Sequence, residues 1–171
     1  MPSDKLNRVR LLLLDVDGVL TDGGIIYDDK GLETKAFNVK DGLGIRLLMD
    51  TGIKVGIVTS RVSKALYHRC DDLGISLVFD GIGDKSGVLG DISKRTGVPA
   101  EEIAFVGDDL GDLPLMRKVG LSVAVINAHE TVLENADMVT TTRGGAGAVR
   151  EVCEAILKAQ GLWEKTLERF L

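Results

Sequence analysis

The sequence predicts an α/β fold, a doubly wound, Rossmann-like parallel sheet with a β-hairpin insertion. Three observations lead there. Short apolar runs, as expected of strands buried on both faces, end on polar residues. Amphipathic stretches of helical length separate those runs, which is the βαβ pattern. One segment near the N-terminus breaks the alternation and reads as a hairpin.

The elements follow in order. Val9–Leu14 reads as a buried strand that ends on Asp15. From Gly24 to Phe37 the chain reads as two strands around an Asp28-Asp-Lys-Gly31 turn, a hairpin over about residues 23–37. A lone hairpin is marginal in water, so it is expected to pack on its own domain or on another subunit. Asp41–Asp50 reads as a helix, and Lys54–Val58 as a strand ending on Thr59. Ser63–Leu73 is a helix with Ser63 as a plausible N-cap. Leu77–Phe79 is a short strand, Lys85–Thr96 a helix, and Ile103–Val106 a strand ending on Gly107-Asp108. Asp112–Val119 reads as a helix and Ser122–Val125 as a strand. Ala148–Gln160 carries Val149, Val152, Cys153, Ile156 and Leu157 at helical spacing. Gly52, Gly74, Gly97 and Gly120 each follow a helical stretch, where a left-handed C-cap is expected. The tail, about residues 161–171, reads as either a docking segment or a frayed end.

Composition bounds the function. The 171 residues predict one domain spanning 1–171. Lys plus Arg number 21 against 26 Asp plus Glu, a formal charge of −5, with no basic run. That disfavours nucleic acid and anionic membranes as partners. The 4% aromatic content disfavours a base-stacking surface. Cys70 and Cys153 have no C-x-x-C spacing and read as free core thiols of a reducing compartment. His68 and His129 lack metal-ligand spacing. The leucine run after Arg10 stops at Asp15, too short for a signal peptide, so a soluble cytoplasmic protein is expected.

In open α/β sheets ligands bind beyond the carboxyl ends of the strands. Here those ends carry Asp15 and Asp17, then Thr59-Ser60-Arg61, then Asp108 and Asp109, with Lys85 opening the helix after the fourth run. Clustered carboxylates repel one another and call for a hard cation such as Mg²⁺. One Asp can serve as a nucleophile towards phosphorus, and a second, two residues on, as acid and base. A Thr hydroxyl and a Lys ammonium can hold the remaining phosphate oxygens. Each residue alone has an ordinary reading: an acidic turn, a strand-end hydroxyl, a solvated lysine, or an acid at a helix start. Their order along the chain is what points to phosphoryl transfer.

Asp15-Val-Asp-Gly-Val-Leu-Thr21, Thr59, Lys85 and Gly107-Asp-Asp-Leu-Gly-Asp112 together resemble the four motifs of the haloacid dehalogenase-like superfamily. The resemblance implies Asp15 as nucleophile and metal ligand, and Asp17 as acid/base with its backbone carbonyl on the metal. It implies Thr59 and Lys85 on phosphate, Asp108 as a further Mg²⁺ ligand, and Asp109 and Asp112 on metal-bound waters. The gaps from Asp15 to Thr59 and from Thr59 to Lys85 are filled by the elements above, so no cap domain is expected. An open site leaves water to be excluded by a macromolecular substrate or a neighbouring subunit.

Over about residues 10–160 the chain resembles one capless subgroup, the 3-deoxy-D-manno-octulosonate 8-phosphate (KDO 8-phosphate) phosphatases. Lys35-Ala-Phe-Asn-Val-Lys-Asp-Gly-Leu-Gly-Ile-Arg46, Thr59-Ser-Arg61, Arg69-Cys70 and Gly147-Ala-Val-Arg-Glu-Val-Cys153 carry that likeness. Ser60 stands where the subgroup has Gly, and Ala146 where it usually has Arg. The resemblance implies a homotetramer whose hairpins form a central barrel, and a tail that can reach a neighbour's site. It implies substrate contacts at Asn38, Asp41, Gly42, Arg46, Arg61 and Arg69, alongside Lys85, since Arg suits a sugar-acid carboxylate. The implied activity is Mg²⁺-dependent hydrolysis of KDO 8-phosphate in lipopolysaccharide synthesis. A phosphatase for a nine-carbon sugar acid phosphate, a catalytically silent assembly domain and a broad phosphomonoesterase remain the alternatives.

Overall fold

The computed structural model describes residues 2–171. In chain order it runs α1 (Pro2–Asn7), β1 (Leu11–Leu14), the hairpin strands β2 (Ile26–Tyr27) and β3 (Glu33–Thr34), α2 (Val39–Asp50), β4 (Lys54–Val58), α3 (Lys64–Leu73) and β5 (Leu77–Phe79). A 3₁₀ turn at Lys85–Val88 leads into α4 (Leu89–Thr96), followed by β6 (Ile103–Gly107) and a 3₁₀ turn at Leu110–Asp112. Then come α5 (Leu113–Met116), β7 (Leu121–Ala124), α6 (Glu130–Asn135), β8 (Met138–Val139), α7 (Ala148–Ala159) and α8 (Trp163–Leu167).

Six strands form one parallel sheet in the order β5-β4-β1-β6-β7-β8. The leucine strand β1 lies inside it, with Leu11 paired to both Lys54 and Ile103. Alternate side chains of a strand face opposite layers. Leu12 and Leu14 therefore pack with Ile45 of α2, Leu66 of α3 and Val149 of α7. Leu11 and Leu13 pack with Ile92 of α4, Leu115 of α5 and Val132 of α6. Both faces are covered, as the doubly wound expectation requires. The chain winds outwards from β1 through β4 to β5, then crosses back to β6 on the other side of β1. The crevice at that reversal is where such sheets bind ligands. No described helix is long and apolar enough to cross a membrane.

Several expected boundaries shift for physical reasons. Val9 is buried but precedes the strand. The helix expected from Lys85 starts as a 3₁₀ turn capped by Asp84, which accepts from the Ser86 N–H at 2.9 Å. The stretch expected as a helix over 112–119 holds only the four residues of α5, with Pro114 in its first turn. Ser63 sits at the N-cap of α3, yet its side chain makes no bond to the helix. Gly74 and Gly97 are left-handed C-caps, and Gly52 has φ +91° just past Thr51. Gly120 is not left-handed; a Cβ there would lie 2.0 Å from the Glu101 carbonyl oxygen, so close backbone approach demands glycine. α6 and β8 escape the sequence reading because they span six and two residues. Cys70 and Cys153 are buried free thiols. The tail docks: Leu162 and Trp163 pack against the α2–α7 layer, and Arg169 pairs with Asp50 at 2.7 Å.

The hairpin stands off the sheet. Asp28 closes its turn, its carboxylate accepting from the N–H groups of Lys30 (2.9 Å) and Leu32 (2.8 Å). Ile25, Ile26, Tyr27 and Leu32 are exposed on it, each by more than half.

Candidate active site

Each strand end that borders the crevice delivers one polar group. Asp15 follows β1, and its N–H donates to the Val106 carbonyl at 3.1 Å. Thr59 follows β4, with its N–H on the Phe79 carbonyl at 2.9 Å. Asp108 follows β6, and Lys85 opens the turn after β5. Together with Asp17 and Arg61 they line a cleft of about 180 Å³.

Lys85 is the hub. Its buried ammonium lies 2.8 Å from Asp15 and 2.6 Å from Asp112. Burial works to lower its proton affinity, but the two carboxylates outweigh burial and raise it. Asp112 uses both oxygens: Oδ1 accepts from Lys85, and Oδ2 accepts from the N–H groups of Asp108 (2.8 Å) and Asp109 (3.2 Å). It clamps the turn after β6 into shape. Asp109 caps the same turn by accepting from Leu110 N–H at 2.8 Å.

One ammonium does not balance three carboxylates. Burial pushes Asp15 up to about 6, with Asp112 adding to the shift and Lys85 opposing it. Burial, then the charges of Asp15 and Asp112, push Asp108 to about 8. Ligand oxygens of Asp15, Asp108 and Asp112 all lie within 4.8 Å of one another. Oδ1 of Asp108 is buried without a hydrogen-bond partner. A buried carboxylate oxygen with no donor is costly, and a set of hard oxygens with a charge deficit fits Mg²⁺. Since Asp112 is occupied by Lys85 and the backbone, Asp15 and Asp108 are the carboxylates left for a cation.

The loop carrying Asp17 is braced from behind by a glycine-rich turn near the C-terminal third. A Cβ on Gly144 would sit 1.7 Å from the Gly18 carbonyl oxygen, and one on Gly145 2.4 Å from Asp22 N. Gly145 N–H donates to the Val19 carbonyl at 2.9 Å, and the Asn38 amide donates to the Gly145 carbonyl at 3.3 Å.

The residues expected on substrate divide. Arg61 lines the cleft, with its Nε 3.6 Å from Asp17. It is held there by Glu33 at 2.6 Å and the Tyr27 hydroxyl at 3.0 Å, which raise its proton affinity further. The others make contacts within the fold. Asn38 caps α2, accepting from Lys40 N–H at 2.8 Å. Asp41 is 1% exposed and accepts from Arg150 N–H at 2.8 Å in the first turn of α7; burial raises its proton affinity. Gly42 leaves room for the Arg69 guanidinium, which donates to the Asn38 carbonyl at 3.2 Å. Arg46 donates to the Asp72 carbonyl. Asp41 and Gly42 thus lie at the packing of α2 against α7 and Arg69.

Two residues near the site went unmarked in the sequence, Glu33 and Lys35. Glu33 lies on β3 and Lys35 one residue past its end, and their side chains meet on the side of Asp17 and Arg61. The Lys35 ammonium contacts Asp17 and lies 3.4 Å from Glu33. The nearby Ser63 hydroxyl and the Arg61 guanidinium hold Glu33 down to about 2. Alternating charged residues on a strand that should otherwise be solvated were the available signal.

Comparison with known proteins gives the family. A haloacid dehalogenase-like hydrolase model matches residues 78–152. The 3-deoxy-D-manno-octulosonate 8-phosphate phosphatase of Escherichia coli K12 is 49% identical over 157 residues, covering 92% of this chain and 84% of that protein. The chain belongs to the KDO 8-phosphate phosphatase family. Solved members of the family share the fold closely. One from Moraxella catarrhalis, in complex with magnesium, phosphate and KDO, superposes with a TM-score of 0.97 at 42% identity, covering 99% of this chain and 98% of that one. A cobalt-bound member from Haemophilus influenzae gives 0.90 at 45% identity, covering 93% of each chain. The capless KDO 8-phosphate phosphatase architecture thus runs the length of the sheet described above.

Proposed function

We propose that this chain, acting over residues 1–171 as one domain, hydrolyses KDO 8-phosphate to KDO and phosphate with Mg²⁺. The observation that carries this is the strand-end constellation itself: Asp15 and Asp108 with oxygens to spare, beside Lys85, in a chain that belongs to this family. Bound between Asp15, Asp108 and the Asp17 carbonyl, Mg²⁺ would neutralise phosphate charge. Thr59 and Lys85 hold the phosphate oxygens. The Asp15 carboxylate attacks phosphorus in line, and the bond from phosphorus to the sugar oxygen breaks. Asp17 gives that oxygen its proton. Asp17 then takes a proton from the water that cleaves the aspartyl phosphate.

The cleft of about 180 Å³ suits a phosphate and little more, whereas clefts that enclose a whole ligand run from about 300 Å³. With exposed apolar side chains on the hairpin, this supports a homotetramer in which neighbours complete the sugar site. Two unpaired buried thiols support a cytoplasmic location.

The test is phosphate release from KDO 8-phosphate and from a nine-carbon sugar acid phosphate, with Mg²⁺ and with EDTA, beside light scattering. Metal-dependent turnover that favours the eight-carbon ester is expected, at four times the chain mass of 18.3 kDa. Preference for the nine-carbon ester moves the substrate and keeps the mechanism. No release of either, with the assembly intact, rejects the enzyme reading.

The proton affinities give a second expected result. Folded Asp15 and Asp108 titrate near 6 and near 8, against 3.8 for ordinary Asp. Between those values the folded chain binds more protons than the unfolded one. Metal-free stability from these groups is therefore lost as pH rises towards 8. Mg²⁺ competes with the same protons. Saturating Mg²⁺ is expected to raise Tm by about 5–10 °C at high pH and by less near pH 6. Equal gains at both pH values would contradict the assignment of these carboxylates to the metal.

A further inference from the structure

Among the described contacts, the Asp17 carboxylate makes no bond to Lys85 or to the turn after β6. Nothing on its own loop fixes its side chain among the described contacts. Its orientation comes from the hairpin. Oδ1 accepts from the Lys35 ammonium, and Oδ2 lies 3.6 Å from the Arg61 Nε with no hydrogen bond of its own. Lys35 is 2% exposed at its side chain, and Glu33 lies 3.4 Å from the same ammonium. A buried ammonium between two carboxylates is held in one place, because every displacement unpairs a desolvated charge.

We propose that Lys35 is a positioning residue for the reaction: it anchors one oxygen of Asp17 and leaves the other free to exchange the proton with the leaving sugar oxygen and with water. The proposal rests on the reading of Asp17 as acid and base. Glu33 pairs with both Lys35 and Arg61, so the hairpin works as a second wall of the active site as well as an assembly element. A misplacement of about 1 Å at a proton-transfer group costs on the order of 10²-fold in rate. The substrate's phosphate is held by other residues, so the loss belongs to kcat.

The test compares Lys35→Met and Lys35→Arg with wild type on KDO 8-phosphate in saturating Mg²⁺. Lys35→Met is expected to lower kcat about 10²-fold and to change KM less than about threefold. Lys35→Arg keeps a charge that can reach Asp17 and is expected to recover at least about tenfold over Met. A kcat for Lys35→Met within about threefold of wild type, a loss carried by KM, or an Arg variant no better than Met would each overturn the proposal. If circular dichroism shows Lys35→Met unfolded, Lys35→Ala is assayed with and without ethylammonium. A rise of about tenfold with the amine supports the role, and no rise overturns it. Wild type that hydrolyses p-nitrophenyl phosphate but not KDO 8-phosphate would reject the substrate reading alone, and the Lys35 variants are then compared on that ester.

Discussion

Asp15→Asn is expected to reduce phosphate release by at least about 10⁴-fold, the scale seen when a covalent nucleophile is removed. The amide keeps the size of the carboxylate and an oxygen for Lys85, now 2.8 Å away. It cannot attack phosphorus. The same change removes one of the negative charges that burial and Asp112 already disfavour, since Asp15 is held near 6. The variant is therefore expected to melt no lower than wild type in EDTA at high pH, and to gain less from added Mg²⁺. Residual turnover within about 10² of wild type would remove Asp15 from the nucleophile's role. An inactive variant with a lowered Tm in EDTA would mean that the fold, and not the chemistry, had been lost.

Lys85→Met has the other large effect, and it appears in stability as well as in rate. The ammonium is buried and bonded to Asp15 and Asp112 at 2.8 and 2.6 Å. Removing one partner of a buried ion pair costs about 3–5 kcal/mol because the remaining charge is uncompensated. For a chain of this length that is a Tm lower by roughly 6–20 °C. The turn after β6 feels it too, because Asp112 joins Lys85 to the N–H groups of Asp108 and Asp109. Loss of a donor to the transferring phosphate costs about 10²–10³ in kcat. Mg²⁺ is expected to return part of the stability, by supplying positive charge to Asp15, but not the rate. Calorimetry with and without Mg²⁺, beside steady-state assays, separates the two effects. A variant that melts with wild type would show that Lys85 is not the counter-charge of the cleft.

That Asp15, Thr59 and Asp108 meet in one cleft was legible in the sequence, because each follows a continuous apolar run that topology brings to one edge. Lys54–Val58 and Leu77–Phe79 have the expected bounds, since a strand buried on both faces leaves an unbroken apolar signal. Asp41 stands in a stretch whose resemblance implies substrate binding, and its carboxylate meets the backbone of Arg150, 109 positions further on. Only the packing of α2 on α7 reveals that. Asp112 shows the same limit in milder form: its place in the motif was plain, while its division between Lys85 and the backbone depends on a turn conformation that spacing does not encode. Lys35 was read as part of a string of matching letters. Its meaning depends on the hairpin folding back over Asp17, a tertiary event with little local propensity behind it, since β2 and β3 share only two residue pairs.

The brace formed by Gly144 and Gly145 bears on how the protein is made. The ribosome delivers Asp15 and Asp17 early and the glycines that press on Gly18 and Asp22 near the end. Until that late segment arrives, the loop after β1 has no backing from it, even though every residue proposed for catalysis has already been translated. A chain stopped short of residue 144 would carry every catalytic group named above and still lack the surface that holds two of them in place.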